Sequence, residues 1–130
     1  MADCCCGTGA PVKLLYACSG AANTGYLADN VARALAGRGV GKMTCLAAVG
    51  AGLSGFVESA RSAGDNIVID GCPVACGQKV FESLGIPIRH FMTTDYGVEK
   101  GKTEITRDLI DRTVGTLARE VAGECDCAAG

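Results

Sequence analysis

"NIVIDGCPVAC", Asn66 to Cys76, carries the reading on which the fold turns. Its first half, Ile67-Val68-Ile69, is an unbroken apolar run with turn residues on either side. A strand with one wet face alternates apolar and polar residues, so a run without alternation predicts a strand covered on both faces, as in a parallel sheet between helices. Its second half brings two cysteines, Cys72 directly before a proline and Cys76 four residues later. Pro73 has no N–H to lose, which suits the first turn of a helix, and the pattern predicts a helix from Pro73 to about Leu84, before Gly85.

Outward from this stretch the same unit repeats. "VKLLYA" (Val12 to Ala17) is a short β-type run, and "TGYLADNVARALAGRG" sets Leu27, Val31, Ala34 and Leu35 on one helix face, with Gly37 and Gly39 as the stop. "VGKMTCLAAV" holds a second strand ending around Cys45, and "LSGFVESARSAG" places Leu53, Phe56, Val57 and Ala60 at helical spacing. After the third helix, "IPIRHFMTT" predicts a fourth strand and "DYGVEKGK" a polar loop. In "TRDLIDRTVGTLAREVAG", Ile110, Val114, Leu117 and Val121 share a face, Thr106 is the N-cap and Asp108 lies in the first turn. Strand and helix alternating with short connections predict right-handed crossovers. The expected fold is α/β: a three-layer sandwich around a four-stranded parallel sheet, flavodoxin-like or Rossmann-like, in strand order 2-1-3-4.

The chain of 130 residues fits one domain, expected at 12–123, between a Cys-rich N-terminal tail (1–11) and a Cys-containing C-terminal tail (124–130). Hydrophobic residues make up 48% but aromatics only 5%, with no Trp, so the core must be built from Leu, Val, Ile and Ala. A formal net charge of -2 without a basic run argues against a nucleic-acid partner. No stretch approaches the roughly 20 apolar residues of a membrane span, and the start lacks the charged and apolar regions of a secretory signal. The expected location is therefore the cytoplasm, with no membrane partner. Thiols stay reduced there, so nine cysteines point to metal or thiol chemistry rather than a disulfide framework.

Four of those cysteines fall at equivalent places. Cys18 follows strand 1, Cys45 ends strand 2 and Cys72 follows strand 3, so all emerge at one edge of a parallel sheet. Order 2-1-3-4 makes those strands neighbours, and the reversal between strands 1 and 3 opens the crevice where such sheets bind ligands. Cys76, at i,i+4 from Cys72, is expected on the same helix face, and Gly20 and Gly71 are expected to let backbone approach the sulfurs. Four thiolates at one point suit tetrahedral zinc, and thiolate ligation also suits copper(I) or an iron–sulfur cluster.

"YACSGAANTG", "KMTCLAAVGAGLSGF" and "IDGCPVAC" together resemble the DGC-domain family of zinc-binding proteins, named for the Asp-Gly-Cys found here as Asp70-Gly71-Cys72. The resemblance runs from about Val12 to Met92. It implies a zinc ion as cofactor, held by four chelating cysteines that match Cys18, Cys45, Cys72 and Cys76.

Other readings compete for the same residues. The "CSGAANTG" turn resembles the phosphate loop of low-molecular-weight tyrosine phosphatases, but that loop needs Cys-x5-Arg, and Thr24 stands where the arginine belongs. The first arginine after Cys18 is Arg33. "VGAGLSG" follows strand 2 and lacks the context of a dinucleotide loop. A thiol oxidoreductase or redox sensor using Cys72 and Cys76 is the serious rival, although their spacing is Cys-x3-Cys rather than the usual Cys-x2-Cys. His90 is expected as a strand residue with an ordinary hydrogen-bond partner, Asp70 as an acceptor of backbone N–H groups, and Lys79 as a solvated side chain. Cys4, Cys5, Cys6, Cys125 and Cys127 lie in the tails, outside the pattern.

Overall fold

The computed structural model describes residues 12–123. The tail cysteines lie outside the described residues. The chain runs β1 (Lys13–Ala17), α1 (Asn23–Gly37), β2 (Lys42–Met43), α2 (Leu46–Gly50), α3 (Ser54–Ser62), β3 (Asp65–Asp70), α4 (Cys76–Leu84), β4 (Arg89–Met92), a 3-10 turn (Thr93–Tyr96) and α5 (Arg107–Gly123). The strands form one sheet in order β2-β1-β3-β4, and every pairing is parallel. The α/β architecture and strand order expected from the sequence are therefore observed.

Strand periodicity divides the core in two. Leu15, Ala17, Ile67 and Ile69 point to one face and pack with Leu27, Val31 and Leu35 of α1 and Val114, Leu117 and Val121 of α5. Leu14, Tyr16 and Val68 point to the other, against Val49 of α2, Ala60 of α3 and Phe81 of α4. β3 is covered on both sides from Asn66 to Asp70, which is why its sequence does not alternate. Tyr16 meets Phe81 edge-on with ring centroids 4.8 Å apart, a geometry worth about 1 kcal/mol beyond area burial. The Tyr16 hydroxyl donates to Asn66 Oδ1 at 3.2 Å, and Asn66 Nδ2 donates to the Ala60 carbonyl at 2.8 Å. Burial pushes the Tyr16 phenol up to about 12.

Three local expectations need correction. The second strand is only two residues long and stops before Cys45, and a short helix that the sequence reading did not name, Leu46–Gly50, follows it. The third helix does not begin at Pro73: Cys72 and Pro73 lie in a turn, Ala75 takes a left-handed φ of 54°, and helical geometry starts at Cys76. A residue before proline is biased away from the helical region, so Cys72 stays outside the helix. The i,i+4 argument for Cys72 and Cys76 therefore fails. In α3 only Ala60 is buried, while Leu53 at its N-cap and Phe56 are 51% and 40% exposed. The Thr106 cap holds, its Oγ1 accepting the Leu109 N–H at 3.1 Å. No helix among the described residues is long and apolar enough to cross a membrane.

Candidate functional site

Two glycines bring the β1–α1 loop against the β3–α4 turn. A Cβ on Gly71 would stand 2.7 Å from the Gly25 nitrogen, and one on Gly25 would stand 2.6 Å from the Gly20 nitrogen. Any side chain at either position would force these backbones apart. Because they touch, the Gly71 N–H reaches Cys18 Sγ at 3.3 Å, and the Cys18 N–H in turn donates to the Ile69 carbonyl at 3.1 Å. Cys18 is half-buried. Burial raises its thiol pKa; the Gly20 and Gly71 N–H groups pull it down without cancelling that rise, and Asp70 and Cys76 add to it.

Asp70 is 1% exposed. It sits on the same sheet face as Val68, two residues away, and so does His90, which pairs with Val68 across the ladder. Its Oδ1 accepts the Gly77 N–H at 2.8 Å, and its Oδ2 accepts the Gln78 N–H at 3.0 Å and lies 2.7 Å from His90 Nε2. The carboxylate thus satisfies free N–H groups of α4's first turn, where its charge also favours the helix dipole. The expected backbone-accepting role of Asp70 is observed, and the partner of His90 is Asp70. The three residues of Asp-Gly-Cys act differently. Asp70 anchors the helix that carries Cys76, Gly71 holds the Cys18 sulfur, and Cys72 supplies a sulfur of its own.

A cavity of about 660 Å³ opens beside this corner, at the C-terminal edge of the sheet, lined by Cys18, Cys45 and Cys76 among others. Cys45 and Cys76 are exposed, and both sit where a helix begins. Cys72 is not part of that wall. Its Sγ accepts from Lys100 Nζ at 3.4 Å, and its carbonyl accepts the Ala75 N–H at 2.9 Å. Among the described residues, no three His, Cys, Asp or Glu side chains are disposed to hold one metal ion. Three of the four expected thiols share a cavity, then, and the fourth stands apart on a lysine.

Sequence reasoning missed the charged groups here. Lys79 is exposed, and the cation beside a sulfur is Lys100, from a loop fixed by Asn23: Nδ2 donates to the Glu99 and Thr103 carbonyls and Oδ1 accepts the Gly101 N–H. Nothing local to Lys100 signals that contact. Asp29 and Arg33 also line the cavity. Ser19, at a left-handed φ of 52°, donates to Asp29 Oδ1 at 2.9 Å, and Arg33 Nε donates to Asp29 Oδ2 at 2.8 Å. Their i,i+4 spacing on α1 was the available signal.

Comparison with known proteins gives a consistent result. The DGC domain family matches residues 14–117. A Pseudomonas aeruginosa protein named anaerobic and virulence modulator AnvM is 33% identical over 91 residues, covering 69% of this chain and 70% of the relative. No solved structure gives a significant match. A match over most of the α/β unit, including the Asp70-Gly71-Cys72 motif, means that the chain belongs to the DGC-domain family.

Proposed function

We propose that this protein binds one zinc ion through Cys18, Cys45, Cys72 and Cys76, in a metal-handling or sensory role rather than a hydrolytic one. The observation that carries the reading is that Cys18, Cys45 and Cys76, from three separate crossovers, line one cavity. The donor set is what zinc takes in closed thiolate sites. The side chains as they stand are too spread for one ion, so loading requires them to draw in and requires Cys72 to leave Lys100. Bound zinc would supply a tetrahedral crosslink between the crossover loops. The chain itself contributes the N–H of Gly71 to the Cys18 sulfur and keeps α4 in place through Asp70. A regulatory role agrees with the relative's name as a modulator, and a reduced cytoplasm would keep the thiols available.

The test is zinc content of the full chain with Cys4, Cys5, Cys6, Cys125 and Cys127 replaced by Ser, purified anaerobically without chelator. About one zinc per chain is expected, lost in Cys18→Ser and Cys76→Ser and bound at least about tenfold more weakly in Cys72→Ser. Stoichiometric zinc retained in Cys76→Ser would overturn the assignment. One contact favours a second reading: an ammonium 3.4 Å from the Cys72 sulfur is the setting in which thiols act in redox chemistry, with Cys76 as the resolving partner. A peroxide-induced Cys72–Cys76 disulfide in zinc-free protein, reversed by reductant, would support it.

A further inference from the structure

We propose that Lys100 is an acylation site served by Cys72: the thiol takes an acyl group from a small acyl thioester and passes it to the lysine nitrogen beside it. The inference goes beyond the zinc reading and applies to metal-free protein. It starts from one juxtaposition. Lys100 Nζ lies 3.4 Å from Cys72 Sγ, 28 residues away in sequence. A nitrogen that close to a sulfur is within reach of a carbonyl carbon bonded to that sulfur, the near-attack separation being about 3 to 3.5 Å. The Cys72 sulfur also lies outside the wall that carries the other three thiols, so the nucleophile beside it is an amine.

Both partners are held at their roots. Asn23, the first residue of α1, donates from Nδ2 to the Glu99 carbonyl at 3.1 Å and accepts the Gly101 N–H on Oδ1 at 2.7 Å, so the two neighbours of Lys100 are bonded to one side chain. The Glu99 N–H donates to Thr103 Oγ1 at 2.8 Å, which closes the loop behind Lys100. On the other side, the Cys72 carbonyl accepts the Ala75 N–H at 2.9 Å. Pro73 and Val74 of that turn are exposed, so a thioester can approach the half-buried sulfur past apolar side chains. Two acyl transfers follow. The Cys72 thiolate attacks the carbonyl carbon of the incoming thioester, a C–S bond forms, and the ligand's own sulfur leaves as a thiolate. Lys100, having given one proton to solvent, attacks the same carbon. The C–N bond forms, the C–S bond to Cys72 breaks, and the proton lost by nitrogen goes to the departing sulfur. No oxidant or reductant is needed. The amide product carries no charge, so the ammonium that meets the Cys72 sulfur is lost.

The experiment incubates the metal-free full chain, with the five tail cysteines as Ser, with acetyl-coenzyme A, and reads each lysine by peptide mass spectrometry. Lys102 is the internal control: it lies in the same loop, its side chain is 79% exposed, and its ammonium is 3.8 Å from the Glu99 carboxylate. Acetylation of Lys100 should exceed that of Lys102 by at least about tenfold. In Cys72→Ala it should fall to the Lys102 level, with Lys102 itself unchanged. Lys100→Arg, at an exposed loop position, should stop the second transfer and leave the acetyl group on Cys72, as a thioester released by hydroxylamine. Equal acetylation of Lys100 and Lys102, Lys100 acetylation that survives Cys72→Ala, or no hydroxylamine-labile acetyl on Cys72 in Lys100→Arg would overturn the proposal. None of these outcomes depends on zinc content, so failure here leaves the zinc reading standing.

Discussion

Cys18 and Cys72 sit on neighbouring crossovers of the same sheet edge, yet they are held in opposite ways. The Cys18 corner is clamped by backbone: the Gly71 N–H reaches its sulfur, and neither Gly71 nor Gly25 has space for a side chain against the backbone it meets. Among the described residues, the Cys72 sulfur hydrogen-bonds to one side chain, an exposed lysine from a loop 28 residues away in sequence. Backbone–backbone packing in a dense interior has no alternative arrangement nearby, whereas an exposed lysine exchanges its partner at little cost. One sulfur of this edge is therefore held fast and the other loosely, a fixed jaw and a movable one.

The sharpest way to break this contrast is at the clamp. Gly71→Ala drives a methyl against the Gly25 and Thr24 backbone, and should cost about 3 kcal/mol of stability. Lys100→Ala, its counterpart at the movable jaw, should stay within about 0.5 kcal/mol. Urea melts of the two variants check this, and a comparable loss in both would dissolve the distinction.

A smaller effect concerns reactivity in metal-free protein. Cys76 and Cys45 are exposed, while Cys18 is half-buried and burial raises its pKa, so near neutral pH its alkylation should lag theirs by about tenfold. Time-resolved labelling read by peptide mass spectrometry decides it, and equal rates would show that the clamp opens freely.

The smallest expected effect lies at high pH, away from the jaws. Burial, then the hydrogen bond to Glu120 and the charges of Glu120 and Asp95, hold the Tyr96 phenol well above the ordinary tyrosine range, and burial raises Tyr16 to about 12. In the unfolded chain both phenols release their protons at about pH 10, the ordinary tyrosine value. The folded state binds more protons beyond that point, so stability is full below about pH 10 and falls as pH rises through the folded values. Tyr96→Phe should flatten part of that fall above about pH 10, and an unchanged slope would place the loss elsewhere.

The architecture was legible from local pattern because each element states its burial in one segment. The unbroken run Ile67-Val68-Ile69 declares a strand covered on both faces, and Thr106 marks the start of α5 through a side chain three residues from its partner. The shared edge for Cys18, Cys45 and Cys72 followed from parallel strands alone. The miss at Pro73 was also local in cause: proline suits a first helical turn, but it equally bars Cys72 from the helix, and the turn through Ala75 at φ 54° won.

By itself, then, the sequence determined the sheet order, the glycine-rich corner and the sheet edge at which cysteines emerge, all of which rest on spacing along the chain. Only the tertiary structure decided how those thiols are grouped. Cys45 and Cys76 join Cys18 on one cavity, Cys72 meets Lys100 outside that wall, and Asp29 with Arg33 brings charge to the thiol wall. These contacts join residues brought together by crossovers and by a loop pinned on Asn23, and no local periodicity encodes the direction of a side chain across such a gap.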